Sequence, residues 1–323
     1  MTKTNQQKVK DFLINNGVII VMFILVIYTG FTSDNFFTKN NFMNILMNMS
    51  SRLVIALGIA GCDLSAGRMI GFGACISGML LQRMDYSGKF FPDMQPLNVF
   101  VVALIAMLVC AAFGTVTGFF IAYLNVPPFI ATLAMMEIVY GIGLIVTNAT
   151  PLGGYVEQYT NVSNGKFLGI NYLIWIAIIV AVITWFIFNM TRHGKYMYAI
   201  GGNPQAAEVA GVPVKATLIL IYMKAAAMYG LAGFMLGAKA GGASVNLGYG
   251  YEMEAIAACT IGGVSVTGGR GKVSSAIIGV AVFELLKAAL QYLGVDANAQ
   301  YIAIGIVIFV AISLDIRKYV AKK

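Results

Sequence analysis

Apolar runs of about twenty residues, long enough to cross the ~30 Å hydrocarbon core of a bilayer as helices, recur along this chain with only short polar breaks between them. Inside that core no water can satisfy a backbone N–H or C=O, so only helices or a closed barrel can span it. A barrel would alternate outward apolar with inward polar residues, and these runs do not alternate. The 323 residues are 59% hydrophobic and 11% charged. An average soluble domain carries about 25% charge, so one interior could not hide this much apolar surface. The expected class is all-α, a polytopic membrane helical bundle with about ten transmembrane helices. They fall near 12–31, 42–60, 69–81, 97–124, 128–146, 171–189, 217–238, 254–263, 274–293 and 300–314.

One polar island, 201–214, carries strong helix punctuation. Asn203 is a good N-cap, and Pro204 suits the first helical position, where its missing N–H is not needed. Gln205, Ala206, Ala207 and Glu208 are compatible with a helix, Gly211 fits a left-handed C′ position, and Pro213 blocks continuation. The spacing predicts a helix of about two turns, too short to stand alone in water. Neighbouring helix ends or a partner protein must hold it.

Basic residues orient the spans. With the N-terminus inside, Lys3, Lys8, Lys10, Arg68, Arg192, Lys195, Lys215, Arg270, Lys272, Arg317, Lys318, Lys322 and Lys323 are cytoplasmic, against Lys39, Arg83, Lys89, Lys166 and Lys239 outside. The positive-inside bias then places both termini, and the 201–214 island, in the cytoplasm. Arg83 and Lys89 run against the bias, which marks 42–60 or 69–81 as a broken or re-entrant segment. The net charge of +8 is therefore topological, and no nucleic-acid partner is expected. Cys62, Cys75, Cys110 and Cys259 form no CxxC pair and His193 is the sole histidine, so no metal site is expected. The basic N-terminus lacks a small-residue cleavage pattern and reads as a retained anchor.

A faint internal echo links 56–68 with 258–270: each is apolar, then glycine-rich with a hydroxyl residue, then Gly-Arg. Single glycines serve helix packing equally well. Paired glycine-interrupted segments in two halves point instead to a transport pathway. The stretch 263–275 is not a phosphate loop, because Lys272 is followed by Val273 and the glycine spacing is wrong. No nucleotide site is visible in this chain. Ionisable residues in or beside spans are functional candidates: Asp63, Glu137, Lys224, Glu252, Glu254, Glu284 and Lys287. Glu284 and Lys287, three apart, are expected to pair on one helix face. Lys224 is expected to snorkel toward the inner surface.

Four stretches carry a family resemblance: Asp63-Leu-Ser-Ala-Gly67; Asn125-Val-Pro-Pro-Phe-Ile-Ala-Thr-Leu133; 199–212 around Gly201-Gly-Asn-Pro-Gln; and Tyr251-Glu-Met-Glu through Gly263 with the following Gly-Gly-Arg-Gly. In this order they resemble the permease subunits of bacterial sugar ATP-binding-cassette (ABC) importers of the ribose/xylose/galactose branch. The stretches 81–85 and 91–94 are most similar to its galactose/methyl-galactoside members. The resemblance implies a homodimer, each copy a single transmembrane permease domain over 1–323 with a weak repeat of 12–147 in 171–316. It implies a separate ABC ATP-binding subunit with two cassettes, where ATP and Mg would bind, and an extracytoplasmic sugar-binding protein that delivers a monosaccharide. The site would be the bacterial inner membrane, in contact with lipid, and this chain would bind no cofactor and catalyse nothing. Within a cytoplasmic loop 190–216, Asn203, Pro204, Gln205, Ala206, Ala207, Glu208 and Gly211 would couple to the ATPase. Asp63, Ser65, Gly67, Glu252, Glu254, Gly262, Gly263, Gly268 and Gly269 would lie on or near the translocation pathway.

Two departures bear on substrate choice. Tyr-Glu-Met-Glu replaces the family's usual Tyr-Glu-Leu-Asp, and Glu137 and Lys224 stand where the branch carries uncharged residues. Another pentose, hexose or small solute is thus an alternative cargo. A reading from a different class, an ion-coupled carrier with Glu137 or Asp63 as the proton site, also stands on sequence grounds.

Overall fold

A computed structural model describes residues 20–59, 63–265 and 268–320. Among them lie thirteen helices and one two-stranded antiparallel ladder, β1 (Lys166–Phe167) with β2 (Ile170–Asn171). The helices are α1 (Ile20–Thr32), α2 (Lys39–Gly58), α3 (Ala66–Leu80), α4 (Val99–Tyr123), α5 (Pro128–Thr147), α6 (Glu157–Asn164) and α7 (Tyr172–Met190), then α8 (Arg192–Gly202), α9 (Pro204–Val209), α10 (Val214–Ala240), α11 (Tyr251–Ile261), α12 (Val273–Tyr292) and α13 (Ala297–Val320). Five of them, α4, α5, α7, α10 and α12, are long and apolar enough to cross a membrane on their own. The chain is thus a mostly helical, multi-pass membrane protein. The expected first span, 12–31, lies partly outside the described residues, as does Cys62.

Several ends of the long helices fall where the sequence provides a cap. Asn98 accepts from Phe100 N at 2.9 Å to open α4, and Asn171 accepts from Leu173 N at 2.8 Å to open α7. Pro128 supplies the first residue of α5, which closes on Asn148 in the left-handed region. Gly241, at φ +65°, closes α10.

The 27-residue α10 runs about 40 Å at 1.5 Å per residue and is the post around which α2, α3 and α4 are arranged. It approaches α4 through glycine: a Cβ on Gly230 would meet the Ala106 carbonyl carbon at 2.8 Å and the Met107 Cα at 3.0 Å. Lipid tails offer no hydrophobic drive between spans, so such small-residue contacts hold the helices together by close packing. Buried Tyr159 of α6 closes the bundle by donating to Phe234 O at 2.7 Å.

Between these spans the backbone breaks twice inside the bundle. Helix α2 ends at Gly58 and α3 begins at Ala66, with 59 and 63–65 outside any helix among the described residues, and 241–250 lead from α10 into α11 without regular structure. The second segment starts at a bridge between Ala243 and Leu152, each N–H donating to the other's carbonyl at 2.8 Å. It then follows α3, with Val245 against Gly71 and Gly248 against Gly67.

Gly230→Val is expected to lower the thermal midpoint in detergent, since the blocking atoms are backbone and overpacking costs about 1–3 kcal/mol. Gly141, whose added Cβ would meet nothing within 4 Å, should accept Ala without loss. Equal midpoints for the two variants would remove the packing role given to Gly230.

Candidate functional site

Just before α3 lies Asp63, which is 2% exposed. Its Oδ1 accepts from Ser65 N at 3.0 Å and from Ser65 Oγ at 2.6 Å, while Oδ2 accepts from Tyr229 OH at 3.2 Å. The carboxylate therefore ties the start of α3 to the middle of α10. Ser65, buried beside it, gives its hydroxyl to Asp63 rather than to its own helix end. Gly67, the next of the pathway candidates, is pressed against the Glu252 side chain and the Gly248 carbonyl. Asp63 and Ser65 thus share one contact, and Gly67, two residues on, meets Glu252 in another. Glu252 Oε2 is buried without a hydrogen-bond partner among the described residues.

Glu254, two residues along and on the other side of α11, belongs to a second cluster. Arg52 Nε donates to Glu254 Oε2 at 2.9 Å and Arg52 Nη1 donates to Glu284 Oε2 at 3.1 Å. The other Glu284 oxygen, 2.9 Å from Nε, is held by charge, because the Nε proton is given to Glu254. Lys287 Nζ donates to Glu254 Oε1 at 2.8 Å. The Tyr251 ring lies 4.7 Å from the Arg52 guanidinium carbon, and Lys239 of α10 donates to Asn48 of α2. The expected local pair of Glu284 and Lys287 is therefore corrected: Lys287 reaches across to α11, and Glu284 turns to α2. Three helices converge there, and a carboxylate satisfied by an Arg fork leaves the lysine to the neighbouring helix. Arg52 and Lys287 face two carboxylates directly, which compensates the buried charge of both glutamates.

The glycines divide between regions. A Cβ on Gly262 would collide with the Ser275 carbonyl, so Gly262 serves the crossing of α11 and α12. Gly263 takes φ +92° in the turn after α11. Gly268 and Gly269 are not near Asp63. They lie against Gly201 and Gly202 at the end of α8, with room for no side chain at Gly201, and Tyr198 OH donates to Gly271 O at 2.7 Å. The loop between α11 and α12 thus rests on the element that leads into α9.

That short helix has the expected caps. Asn203 Oδ1 accepts from Ala206 N at 3.0 Å, Pro204 is its first residue, and Gly211 takes φ +83°. Of its six residues, Ala207 alone is buried, and Val209 is 91% exposed. Beside this region Lys224 lies close to His193 of α8, and burial together with that ammonium holds the imidazole below its ordinary pKa. An apolar groove of about 570 Å³ lies between α2, α7 and the start of α12, lined by residues such as Leu53, Ala177 and Trp185. It offers almost nothing for a hydroxylated ligand to bond.

Sequence reasoning placed Arg52 within a span without giving it a role, passed over Tyr229 and Tyr198, and counted Arg68 among the cytoplasmic cations. The structure sets Arg68 over the rings of Tyr140 and Tyr249. Only Arg52 gave a signal, as a lone cation within an apolar run.

Arg52→Met is expected to cost about 3–5 kcal/mol, because it leaves buried Glu284 without its cation and Glu254 held by Lys287 alone. Arg52→Met with Glu284→Gln should recover part of that loss. Equal destabilisation of the single and double variants in denaturant unfolding would show that the cluster does not act as a unit.

The family model described as branched-chain amino acid transport system / permease component matches residues 41–312. The galactose/methyl galactoside import permease protein of Escherichia coli (strain K12) is 39% identical over 336 residues, covering all of both chains. That of Haemophilus influenzae is 40% identical, again over the whole of each. The ribose import permease protein of Escherichia coli (strain K12) is 32% identical across 96% of each chain. No solved structure matches at a significant level.

Proposed function

Because the chain belongs to the permease family of ABC importers that includes the galactose/methyl galactoside and ribose import permeases, we propose that it carries a galactose-type monosaccharide through the bacterial inner membrane. Support for galactose over ribose comes from the higher identity, 39–40% against 32%, to the galactoside permeases. The chain is a transport component and not an enzyme: a separate ABC ATP-binding subunit with two cassettes hydrolyses ATP, and an extracytoplasmic binding protein delivers the sugar. Two copies pair to form the conduit. Both termini and α8–α9 face the cytoplasm, and α1, α2, α3, α11 and α13 complete ten spans with the five long helices. The stretches 12–147 and 171–316 act as related halves, a reading supported by the same order of helix, glycine-rich break and helix at α2–α3 and at α11–α12.

The observation that carries the coupling role is α9 itself. A capped helix of six residues with one buried side chain and an exposed Val209 cannot be held by its own turns. Its free surface receives the ATPase. Asn203, Pro204, Gln205, Ala206, Ala207, Glu208 and Gly211 make that contact. Asp63, Ser65, Gly67, Glu252 and Glu254 border the sugar's route, with Gly262 and Gly263 allowing α11 to move. Gly268 and Gly269 join that route to α8. The ion-coupled alternative is distinguished by energy source.

In vesicles holding the chain, its ATPase and the binding protein, uptake of galactose should follow ATP and ignore a proton gradient. Proton-driven uptake by the chain alone would overturn the import reading. Gly211→Val, which forces a β-branched residue to positive φ, is expected to leave insertion intact and cut ATP-driven uptake about tenfold or more through loss of coupling. Uptake at the wild-type rate would end the coupling role of α9. Asp63→Asn should also slow uptake, and an unchanged rate would reduce Asp63 to a cap of α3.

A further inference from the structure

Arg68, on the first turn of α3, lies over two aromatic rings. Its guanidinium carbon lies 3.9 Å from the ring centroid of Tyr140 on α5 and 4.5 Å from that of Tyr249 in the segment before α11. Nη1 donates to Asn246 Oδ1 at 2.6 Å. Among the described residues no carboxylate forms an ion pair with it, and its Nε is buried without a hydrogen-bond partner. Cation–π stacking orients a guanidinium and leaves its edge donors free. Tyr249 is 65% exposed. Glu137, also exposed, stands one turn before Tyr140 near the middle of α5, a helix long and apolar enough to span the membrane. A carboxylate there cannot face lipid without large cost, so this face of α5 meets water, a polar ligand or a polar protein surface.

The group offers an open aromatic face, planar cationic donors, an amide and a carboxylate. A pyranose or furanose ring presents an apolar C–H face and a rim of hydroxyls that both donate and accept, which matches that set. An anionic ligand would be opposed by Glu137, and an apolar one would leave the edge donors unpaired. The stack also adjoins the pathway cluster, since Gly67 precedes Arg68 and packs on Glu252. Resting on the import reading above, we infer that Arg68, Tyr140, Tyr249, Asn246 and Glu137 form a transient binding station for a neutral monosaccharide on its way through the permease. Arg68 is the specificity-determining residue, and the two tyrosines hold its plane.

The test uses the complete importer in vesicles. Tyr249→Leu removes one face of the stack at an exposed position, and Tyr249→Phe keeps it. The Leu variant should import galactose about fivefold or more slowly, while ATPase stimulation by the loaded binding protein stays within about twofold of wild type. The Phe variant should import normally, and Arg68→Lys, which keeps charge but loses the planar fork, should resemble Leu. Wild-type uptake by Tyr249→Leu and Arg68→Lys would overturn the station while leaving the import reading intact. Failure of the wild-type complex to import would remove both. Separation of Tyr249→Leu into single copies on size exclusion would reassign the patch to packing between copies, and would equally overturn it.

Discussion

The inner ends of α2, α3 and α11 lie in the interior of the bundle, where each unpaired N–H or C=O costs several kcal/mol. The chain meets this constraint by laying the irregular segment before α11 along α3. Asp63 accepts the Ser65 backbone N–H at the start of α3, and the segment before α11 bonds to Leu152 at one end and makes its own turns, such as Tyr249 N to Asn246 O at 3.1 Å, at the other. Glycines at 67, 71 and 248 let the two backbones lie side by side. Without that arrangement the segment could not be buried, and the polar side chains it carries would have no reason to be inside.

From the exposed helix α9 to the buried ion cluster there is an unbroken series of close contacts. Asn203 links α9 directly to α8; Gly201 and Tyr198 of α8 rest on the loop at 268–271; that loop is continuous with α11; and α11 carries Glu254 to Arg52 and Lys287. Helix α9 is nearly free of its own chain, whereas Glu254 is tied to two others. A displacement imposed on α9 is therefore passed directly to α8 and to the loop residues 268–271 that rest on it.

Local features were legible in the sequence and pairings were not. The caps of α9 could be read from Asn203, Pro204 and Gly211 because a cap involves neighbours a few residues apart. The long spans could be read from run length alone. Partner choice could not: Arg52 and Glu254 are 202 residues apart, and nothing in either apolar run states which face meets which helix. The same ignorance made Glu284 and Lys287 look like a local pair, since i, i+3 spacing is visible and a competing carboxylate on α11 is not. The surroundings of Arg68 were hidden for a related reason. A cation after a glycine-rich stretch resembles a loop residue until Tyr140 and Tyr249 are brought against it.

The ion cluster contributes little by way of net stability, because desolvating four charged groups offsets most of their attraction, and well-packed apolar residues of similar size could do as well. What it does supply is position. Hydrophobic contacts allow α11 to slide or rotate against α2 and α12 at small cost, whereas a carboxylate shared between an arginine and a lysine on two different helices has one satisfactory place to sit. Glu254 is two residues from Glu252, which touches Gly67, so fixing one fixes the other. A short helix that starts inside the bundle, pinned by charge at its buried end and joined by a glycine turn to the loop that α8 holds, has two defined anchors and little freedom between them.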